Sequence, residues 1–278
     1  MSDSQRERAA RFRALHHGPE ILLLCNAWDA ASARVVEEAG FPALATTSAG
    51  VSWSLGFADG EHAPFEEVLA AVRRIVRTAG VPVSADIEAG FGDTPKETAM
   101  SCLAVLEAGA VGVNLEDGTA GRDRLIPIAL QCEKIQAAKE AAAGAGGDLV
   151  VNARTDGFLH AIGDPQNRFE EAVRRANAYR EAGADCLFVP GVADEATIGR
   201  LVEAIGGPVN MLAGPGTPPV ATLARLGVAR VSLGSGPMRA TLGLLRRIAR
   251  ELLESGTCAA IQDEGIPYAE ANRLFTRS

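Results

Sequence analysis

RFEEAVRRANAYREAGADCLFVP, residues 168–190, contains the repeat that decides the fold of this chain. Apolar residues recur at i, i+3 and i+4 spacing over 168–183, which predicts an amphipathic helix. Gly183 is the residue type that closes a helix at its C-terminus, and the apolar run ADCLFVP (184–190) begins directly after it. The stretch therefore predicts a helix joined to a strand by a very short connection, and such connections favour parallel strands with right-handed crossovers.

The same helix–glycine–strand unit recurs along the chain. Helical stretches end in segments such as EEAGFPA, RTAGVPV, LEAGAVG and ARLGVAR, and a short apolar run follows each glycine. The runs that we predict as strands are ILLLC (21–25), PALATT (42–47), VPVSADI (81–87), AVGVNLE (110–116), DLVVNAR (148–154), ADCLFVP (184–190), PVNMLAG (208–214) and ARVSLGS (229–235). Eight such units within 278 residues fit a closed (β/α)8 barrel of the TIM type, an α/β fold. An open, doubly wound sheet is the alternative.

Both ends of the chain extend beyond the predicted barrel. Residues 1–18, MSDSQRERAARFRALHHG, are charged and lack the apolar segment of a secretory signal, so we expect an extra N-terminal helix. We place the barrel at about residues 20–255 and a C-terminal helical extension at 256–278, within one domain that spans 1–278. A barrel does not need the extension to close, so the extension is a candidate for packing on a neighbouring subunit.

The composition predicts a well-packed protein without a polyanionic partner. Hydrophobic residues make up 47% of the chain and charged residues 22%, which allows a large core and disfavours disorder. The net charge is −8 and no cluster of Lys and Arg stands out, so neither nucleic acid nor an anionic membrane is an expected partner. The five cysteines form no CxxC pair, and no stretch reaches the ~20 apolar residues of a membrane span. These features predict a cytoplasmic protein.

Carboxylates cluster at the ends of two neighbouring predicted strands, where the active sites of such barrels lie. Asp86 and Glu88 stand at the end of the strand predicted over 81–87, and Glu116 ends the next strand. Because side chains repeat every two residues along a strand and neighbouring strands are about 4.8 Å apart, the three acids could converge inside the barrel mouth. Carboxylates that close together require a cation, and oxygen ligands with room for water describe Mg²⁺ or Mn²⁺. The alternative is that each acid caps a helix or pairs with Arg154.

At these positions the chain resembles a known family. DIEAGFG, residues 86–92, is similar to the D-x-D-x-G-[FY]-G pattern of the isocitrate lyase and phosphoenolpyruvate mutase superfamily. The likeness extends in order from about residue 12 to residue 255. The further segments that resemble the family are LLLCNAWDAASARVVEEAGFPALATTSAG (22–50), SLGFADG (54–60), NLED (114–117) and NARTD (152–156).

The resemblance implies which residues hold a metal ion. Asp86 corresponds to the family's acid that approaches Mg²⁺ most directly, and Glu116 corresponds to an acid that holds a water on the ion. Glu88 stands where the pattern usually has aspartate, so direct and water-mediated coordination both remain open. The resemblance also implies that Arg154 binds substrate oxygens and stabilises the charge of an enolate, and that Glu116 contributes to catalysis.

Candidate substrate-binding residues come from three other segments. Thr47, Ser48 and Ala49 fall where a turn of the family holds the substrate carboxylate. Asp59 corresponds to an acid on the loop after the second strand, and we assign it a catalytic role. Asn210, a polar residue in the seventh predicted strand, is the remaining substrate-binding candidate. The expected partner is a small 2-oxo acid or a related carboxylate.

The loop over residues 117–127 departs from the family. Lyases of the family carry a cysteine there within a K-K-C-G-H-like segment, and mutases carry Lys and Asn, whereas DGTAGRDRLIP has no Cys, His or Lys. Val189 and Pro190 stand where mutase-like members have a histidine. Isocitrate lyase and phosphonate mutase activities are therefore not supported, and Arg122 and Arg124 are left as candidates for an anion clamp.

The function that we predict is an Mg²⁺-dependent lyase, similar to 2-methylisocitrate lyase or oxaloacetate decarboxylase. It would cleave a C–C bond beside a small 2-oxo or 2-hydroxy carboxylic acid through an enolate. The alternatives are an enzyme of P–C bonds acting on phosphonopyruvate or phosphoenolpyruvate, a non-catalytic barrel that binds an oxo acid, and a phosphosugar aldolase or isomerase. Glycine-rich LAGPGTP (212–218) and LGSGP (233–237) would suit the last of these. The family also implies a homo-oligomer, a dimer or homotetramer, with exchanged C-terminal helices.

Overall fold

A ring of parallel strands forms the centre of the computed structural model, which describes residues 3–119 and 121–276. The strands are β1 (Leu22–Leu24), β2 (Asn26–Ala27), β3 (Leu44–Thr46), β4 (Val83–Asp86), β5 (Gly112–Glu116), β6 (Val150–Arg154), β7 (Cys186–Phe188), β8 (Val209–Leu212) and β9 (Arg230–Ser232). Their order in the sheet is β1-β9-β8-β7-β6-β5-β4-β3-β2. Only Cys25 separates β1 from β2, so these segments are consecutive parts of one strand, and the ring closes through them. The predicted (β/α)8 barrel is confirmed, and the open sheet is wrong.

Helices cover the outside of the ring. They are α1 (Asp3–Leu15), α2 (Ala30–Glu38), α3 (Ser48–Ser54), α4 (Phe65–Thr78), α5 (Pro95–Glu107), α6 (Ile128–Gly144), α7 (Arg168–Glu181), α8 (Glu195–Ala204), α9 (Val220–Arg225), α10 (Gly236–Ser255), α11 (Ala259–Glu264) and α12 (Tyr268–Phe275). Every predicted strand is present. All but the first are shorter than predicted, and the first continues beyond its predicted end as β2. Within the described residues, no helix combines the length and hydrophobicity that a bilayer crossing requires.

The side chain of Asn26 extends the contact between the first and last strands past the three-residue ladder that joins β1 to β9. Its Oδ1 accepts hydrogen bonds from the backbone N–H groups of Leu233, at 2.9 Å, and Gly234, at 2.8 Å. Its Nδ2 donates to the carbonyl oxygen of Thr46 at 2.8 Å. Asn26 is buried, so water cannot readily replace these bonds. The amide therefore joins the first and last strands of the barrel at their C-terminal ends.

Side chains on the strands alternate between two very different environments. Outward-facing residues pack against the helices in the main hydrophobic core, among them Ala85, Val113, Val151, Leu187, Met211 and Val231. The alternate positions line a cavity inside the ring, among them Ser84, Asp86, Asn114, Asn152, Arg230 and Ser232. The strands that looked like continuous apolar runs therefore carry polar residues with a period of two, and these residues face inward.

Helix α1 closes the N-terminal end of the ring, which we call the barrel floor. Phe12 of α1 is fully buried there and packs in one cluster with Leu22 and Leu24 of β1. The Phe12 ring also meets the His16 ring edge-on, with 4.9 Å between the centroids. The predicted N-terminal helix is confirmed, and its apolar face seals the barrel.

Gly112 in β5 packs directly against the Phe12 ring. A Cβ atom at this position would be 2.9 Å from Phe12 Cε1 and 2.9 Å from the backbone oxygen of Val150. Because backbone and a packed ring cannot move aside cheaply, we expect Gly112→Ala to lower the free energy of unfolding by about 1–3 kcal/mol. Urea denaturation measures the change. Gly144→Ala in α6 is the matched control, since a Cβ there has no neighbour within 4 Å; equal losses in both variants would contradict the prediction.

Helix α10 and the segments after it leave much apolar surface exposed. Met238 is the only buried residue of the 20 in α10. Leu245 is 58% exposed, Leu253 is 87% exposed, and Tyr268 of α12 is 83% exposed. The extension after residue 255, predicted to be helical, contains the helices α11 and α12. The last barrel helix thus lies largely off the ring.

Candidate active site

A cavity of about 320 Å³ opens among the C-terminal ends of the strands. We call it the barrel cavity. Its walls contain residues from every strand except β1, together with residues from the segments that follow β3, β5, β6, β7 and β9. The residues discussed below that line it are Asn26, Thr47, Ser48, Ala49, Asp59, Ser84, Asp86, Asn114, Arg122, Asn152, Arg154, His160, Phe188, Arg230, Ser232 and Arg239. The cavity lies where a barrel of this class carries its active site.

Asp86, the last residue of β4, is held rigidly in the cavity wall. Its Oδ1 accepts a hydrogen bond from Asn114 Nδ2 at 2.8 Å, and its Oδ2 accepts from the backbone N–H of Ser48 at 3.0 Å. Asn114 is fixed in turn, because its Oδ1 accepts from Asn152 Nδ2 at 2.9 Å. Asp86 therefore presents an oriented carboxylate to the cavity.

Glu88 does not continue the strand that Asp86 ends, so the i, i+2 spacing does not place the two side chains on one strand face. Strand β4 ends at Asp86, and Glu88 has a left-handed backbone with φ of 52°. Its buried carboxylate accepts a hydrogen bond from the N–H of Glu61 at 2.8 Å. Glu61 has φ of 59°, and its own carboxylate accepts from the N–H of Phe91, another left-handed residue, at 2.7 Å. Two loops are thus clasped together by three residues in a conformation that side chains disfavour.

Several carboxylates lie close together around Glu88 and Glu116. Burial raises the pKa of Glu88 to about 8, and the charges of Asp59 and Asp86 add to the rise. Burial also raises the pKa of Glu116 well above its ordinary value; Arg154 opposes that shift, while Asp156 and Asp86 reinforce it. The carboxylates outnumber the cations that could neutralise them, which is the electrostatic situation that favours a bound cation.

Arg154, at the end of β6, is the central cation of the cavity. Its Nη1 is 2.6 Å from Glu116 Oε2, and its Nε is 2.6 Å from Asp156 Oδ1. The guanidinium also lies 5.8 Å from the ring centroid of Phe188. Burial alone would lower the pKa of Arg154, but Glu116 and Asp156 raise it above its ordinary value. Arg154 thus remains charged and is fixed in orientation by two carboxylates.

The other predicted binding residues lie in or near the cavity. Thr47 caps α3 and, with Ser48 and Ala49, forms a turn in the cavity wall. Asp59 also lines the cavity, and its carboxylate forms an ion pair with Arg122 across the mouth. Asn210 is fully buried, with its amide 3.3 Å from Ser232 Oγ.

The comparisons with known proteins agree with this geometry. A family model described as phosphoenolpyruvate phosphomutase matches residues 12–253. The chain belongs to the isocitrate lyase and phosphoenolpyruvate mutase superfamily. It is 34% identical to 2-methylisocitrate lyase of Bacillus subtilis (strain 168), over 76% of this chain and 68% of that protein. It is 31% identical to phosphoenolpyruvate phosphomutase of Streptomyces hygroscopicus, over 97% of this chain and 88% of that protein. A solved structure from Burkholderia cenocepacia J2315 superposes with a TM-score of 0.91 at 39% identity, covering 99% of this chain and 98% of that one.

This superfamily contains lyases and mutases that act on C–C and P–C bonds, and the chain is an enzyme of that group. Its members generally use a divalent metal. Within residues 3–119 and 121–276, however, no three His, Cys, Asp or Glu side chains are gathered closely enough to hold one ion. Asp86 is the only one of the three predicted metal-binding acids that lines the cavity. The residues therefore fit an ion that keeps much of its water and contacts few carboxylates directly, as Mg²⁺ commonly does.

The short loop after β5 is anchored by a buried network. Fully buried Asp117 accepts hydrogen bonds through Oδ2 from Tyr179 Oη, at 2.6 Å, and from Arg175 Nη1, at 3.1 Å. Its Oδ1 accepts from the backbone N–H of Asp156 at 2.9 Å. The acid of the superfamily's E-D pattern thus ties the cavity loop to α7. Of the two arginines considered as anion clamps, Arg122 lines the barrel cavity and Arg124 lines a separate one.

Sequence reasoning overlooked one ionisable group in the cavity wall, His160. Its Nε2 is 3.9 Å from Asp156 Oδ2, and its side chain is 17% exposed. Burial lowers the pKa of His160 below its ordinary value, although Asp156 opposes the shift. The i, i+4 spacing of Asp156 and His160 after the fifth predicted strand was the signal that could have revealed it.

Proposed function

We propose that this member of the superfamily is an Mg²⁺-dependent lyase of small 2-oxo or 2-hydroxy carboxylic acids, similar to 2-methylisocitrate lyase or oxaloacetate decarboxylase. The observation that carries the proposal is that one cavity contains both the oriented carboxylate of Asp86 and the fixed guanidinium of Arg154. A carboxylate that can hold a metal ion and a guanidinium in the same cavity suit a substrate that is anchored at one end and develops negative charge at the other.

Each residue of the site has a role in this proposal. Asp86 would hold the ion directly, Glu88 would hold it directly or through water, and Glu116 would hold a water on the ion. The turn of Thr47, Ser48 and Ala49 binds the substrate carboxylate. A bound Mg²⁺ supplies Lewis-acid stabilisation of the charge that develops on the substrate oxygens.

Cleavage next to a carbonyl leaves the bonding electron pair as an enolate, whose negative oxygen Arg154 stabilises. Asp59 and Arg122 close the mouth over the ligand, since their ion pair spans it. Asn210 orients Ser232 of the cavity wall, so its contribution to substrate binding is indirect.

His160 supplies a base that the shortened loop lacks. A 2-hydroxy acid must lose its hydroxyl proton before the C–C bond breaks, whereas a 2-oxo acid can decarboxylate without that step. Because the lowered pKa keeps His160 neutral at pH 7, its ring can accept the proton. Cleavage of a 2-hydroxy acid should therefore weaken as the pH falls through this pKa, when the ring becomes protonated.

His160→Gln separates the two reactions. We expect this variant to cleave 2-methylisocitrate about 10²–10⁴-fold more slowly and to decarboxylate oxaloacetate within a few-fold of the wild type. Steady-state assays of pyruvate formation measure both rates. His62→Gln, at an exposed histidine outside the cavity, is the control. Unchanged 2-hydroxy acid cleavage in His160→Gln would remove His160 from the mechanism.

A substrate screen tests the proposed reaction. Oxaloacetate, 2-methylisocitrate, 2-hydroxy-2-methyl diacids and phosphonopyruvate are incubated with the enzyme and Mg²⁺, and pyruvate and phosphoenolpyruvate are both measured. Turnover of an oxo or hydroxy acid supports the lyase, and turnover of phosphonopyruvate alone supports the P–C bond alternative. Metal-dependent binding of oxalate without any turnover would support the non-catalytic barrel. Membership of the superfamily leaves no reason to keep the phosphosugar alternative.

The exposed apolar surface supports a homo-oligomer, and we propose a dimer or tetramer in the cytoplasm. Each protomer would be one domain over 1–278, with a barrel at about 20–255 and an extension at 256–278 exchanged or packed between copies. Burying residues such as Leu245 and Leu253 of α10 against another copy would remove unfavourable contact with water.

Light scattering after size-exclusion chromatography tests the assembly. We expect a mass two or four times 28.9 kDa for the wild type and the monomer mass for a Leu245→Glu/Leu253→Glu variant. Met100→Glu, at a residue of α5 that is 60% exposed, is the control and should assemble normally. A wild-type protein that elutes as a monomer would contradict the proposal.

A further inference from the structure

Arg230 lies inside the barrel, below the residues proposed to act on the substrate. It is the first residue of β9, and its neighbour Val231 faces outward into the hydrophobic core. Arg230 and Ser232 face inward and line the barrel cavity. With only 2% of its surface exposed, Arg230 is among the largest fully enclosed side chains of the protein. A positive charge is thus built into the deepest part of the cavity wall.

The partners of this guanidinium do not neutralise its charge. Its Nη1 is 3.4 Å from His16 Nε2, and the group lies 5.9 Å from the ring centroid of Phe12, both on the barrel floor. Its Nε has no hydrogen-bond partner. Across residues 3–119 and 121–276, no carboxylate lies within ion-pair distance of it. Burying a charge without a counter-ion is costly.

The ionisable groups that act on Arg230 do not supply the missing counter-ion. Burial lowers the pKa of Arg230, and only the Cys186 thiol and the Asp86 carboxylate oppose this shift. Asp86 already has its own partners in Ser48 and Asn114. His16 is kept neutral, because burial and the charge of Arg230 lower its pKa to about 4. The floor of the cavity therefore lacks one negative charge.

Neutral polar groups surround the same space. Asn26, Ser84, Asn114, Asn152 and Ser232 all contribute to the cavity wall. Asn152 Nδ2 donates one hydrogen to Asn114 Oδ1 at 2.9 Å, so its second hydrogen can be donated to a ligand, and its buried Oδ1, which has no partner, can accept from a water. A volume of about 320 Å³ is ample for a small anion and several waters, each of which occupies about 30 Å³.

We propose that Arg230 binds a small monovalent anion, of halide or carboxylate size, at the bottom of the barrel cavity. The orphaned guanidinium supplies the charge, and the surrounding hydroxyl and amide groups complete the coordination. Asp86 shares the cavity, so a multiply charged anion would be repelled more strongly than a monovalent one. The site does not depend on the proposed lyase reaction, because its ligand need not be the substrate.

Bromide tests the site directly. Crystals of the metal-free protein are soaked in sodium bromide, and anomalous scattering locates the ion. We expect a peak within hydrogen-bonding distance of the Arg230 guanidinium. A water molecule there, with no anomalous signal, would overturn the proposal. A second soak that also contains formate, a monocarboxylate, identifies the natural source. Displacement of bromide indicates a ligand carboxylate, retention indicates a free inorganic anion, and both agree with a monoanion site.

Chloride-dependent stability gives a second measurement. The unfolding temperature is followed as gluconate is replaced by chloride at constant ionic strength. The wild type should show a saturating rise, since an anion that binds only the folded state stabilises it. Arg230→Met should lose this rise, and Arg239→Met, at an exposed arginine of the same cavity, should keep it. Equal responses in the wild type and Arg230→Met would overturn the proposal; if Arg230→Met does not fold, the bromide experiment decides alone.

Discussion

Asp86→Asn is expected to abolish metal-dependent turnover while leaving the barrel folded. The substitution removes the only predicted metal-binding carboxylate that faces the cavity. An asparagine can still accept one hydrogen bond, but its amide cannot accept from both Asn114 Nδ2 and the N–H of Ser48, as Asp86 does. We expect a loss in kcat on the order of 10³-fold, comparable to the removal of one strong electrostatic contact to the transition state.

Metal binding measured without substrate separates the role of Asp86 in binding from its role in turnover. Mn²⁺ binding followed by electron paramagnetic resonance should weaken by more than about tenfold in Asp86→Asn, which corresponds to ~1.4 kcal/mol. Asp93→Asn, at an exposed acid a few residues further along the chain, is the matched control and should bind Mn²⁺ normally. Full activity or unchanged Mn²⁺ affinity in Asp86→Asn would show that the ion, if required, is held elsewhere.

Asp117→Asn is expected to produce the largest loss of stability among single substitutions in the cavity loops. The change removes the charge that pairs with buried Arg175 and leaves the hydroxyl of Tyr179 facing an amide. Arg175 keeps its contact with Glu171 Oε1 at 2.8 Å. We therefore expect a cost of about 3 kcal/mol, at the lower end of the range for a broken buried ion pair.

Tyr179→Phe calibrates this prediction because it removes no charge. It removes the hydrogen bond that the hydroxyl donates to the same carboxylate and the one that it accepts from Arg175 Nη1 at 3.0 Å. It should lower the free energy of unfolding by about 1.5 kcal/mol, as expected for a bond to an ionised group. Chemical denaturation of both variants gives the comparison. If Asp117→Asn were no less stable than Tyr179→Phe, the ion pair with Arg175 would contribute nothing.

The fold could be predicted because its signals are local. Helices α2 and α4–α9 each have a glycine within two residues of their last residue, and a strand begins three or four residues after that glycine. The pattern in RFEEAVRRANAYREAGADCLFVP therefore predicts α7 and β7 from neighbouring residues alone. The order of the motifs was sufficient to identify the superfamily. Placing Asp86 and Arg154 at the cavity also succeeded, because both end a strand of a barrel.

The details that failed depend on contacts between distant parts of the chain. Glu88 was expected on the same strand face as Asp86, but its carboxylate binds the N–H of Glu61, and this contact holds it outside β4. Arg230 and His16 meet on the barrel floor although they are 214 residues apart. Neither contact leaves a periodic trace in the sequence. Polar residues at alternate strand positions, such as Asn152, were visible, but only the closed ring shows that they face a cavity.

The Asn26 bridge has a consequence for how the protein is made. Its partner Leu233 lies 207 residues further along the chain, so this joint can form only after nearly the whole polypeptide has been synthesised. Until then β1, whose partner in the sheet is β9, presents an unpaired edge, which other chains can pair with. Contacts of such long sequence separation form slowly. During synthesis, the half-built barrel is therefore open to edge-to-edge association until its last strand is made.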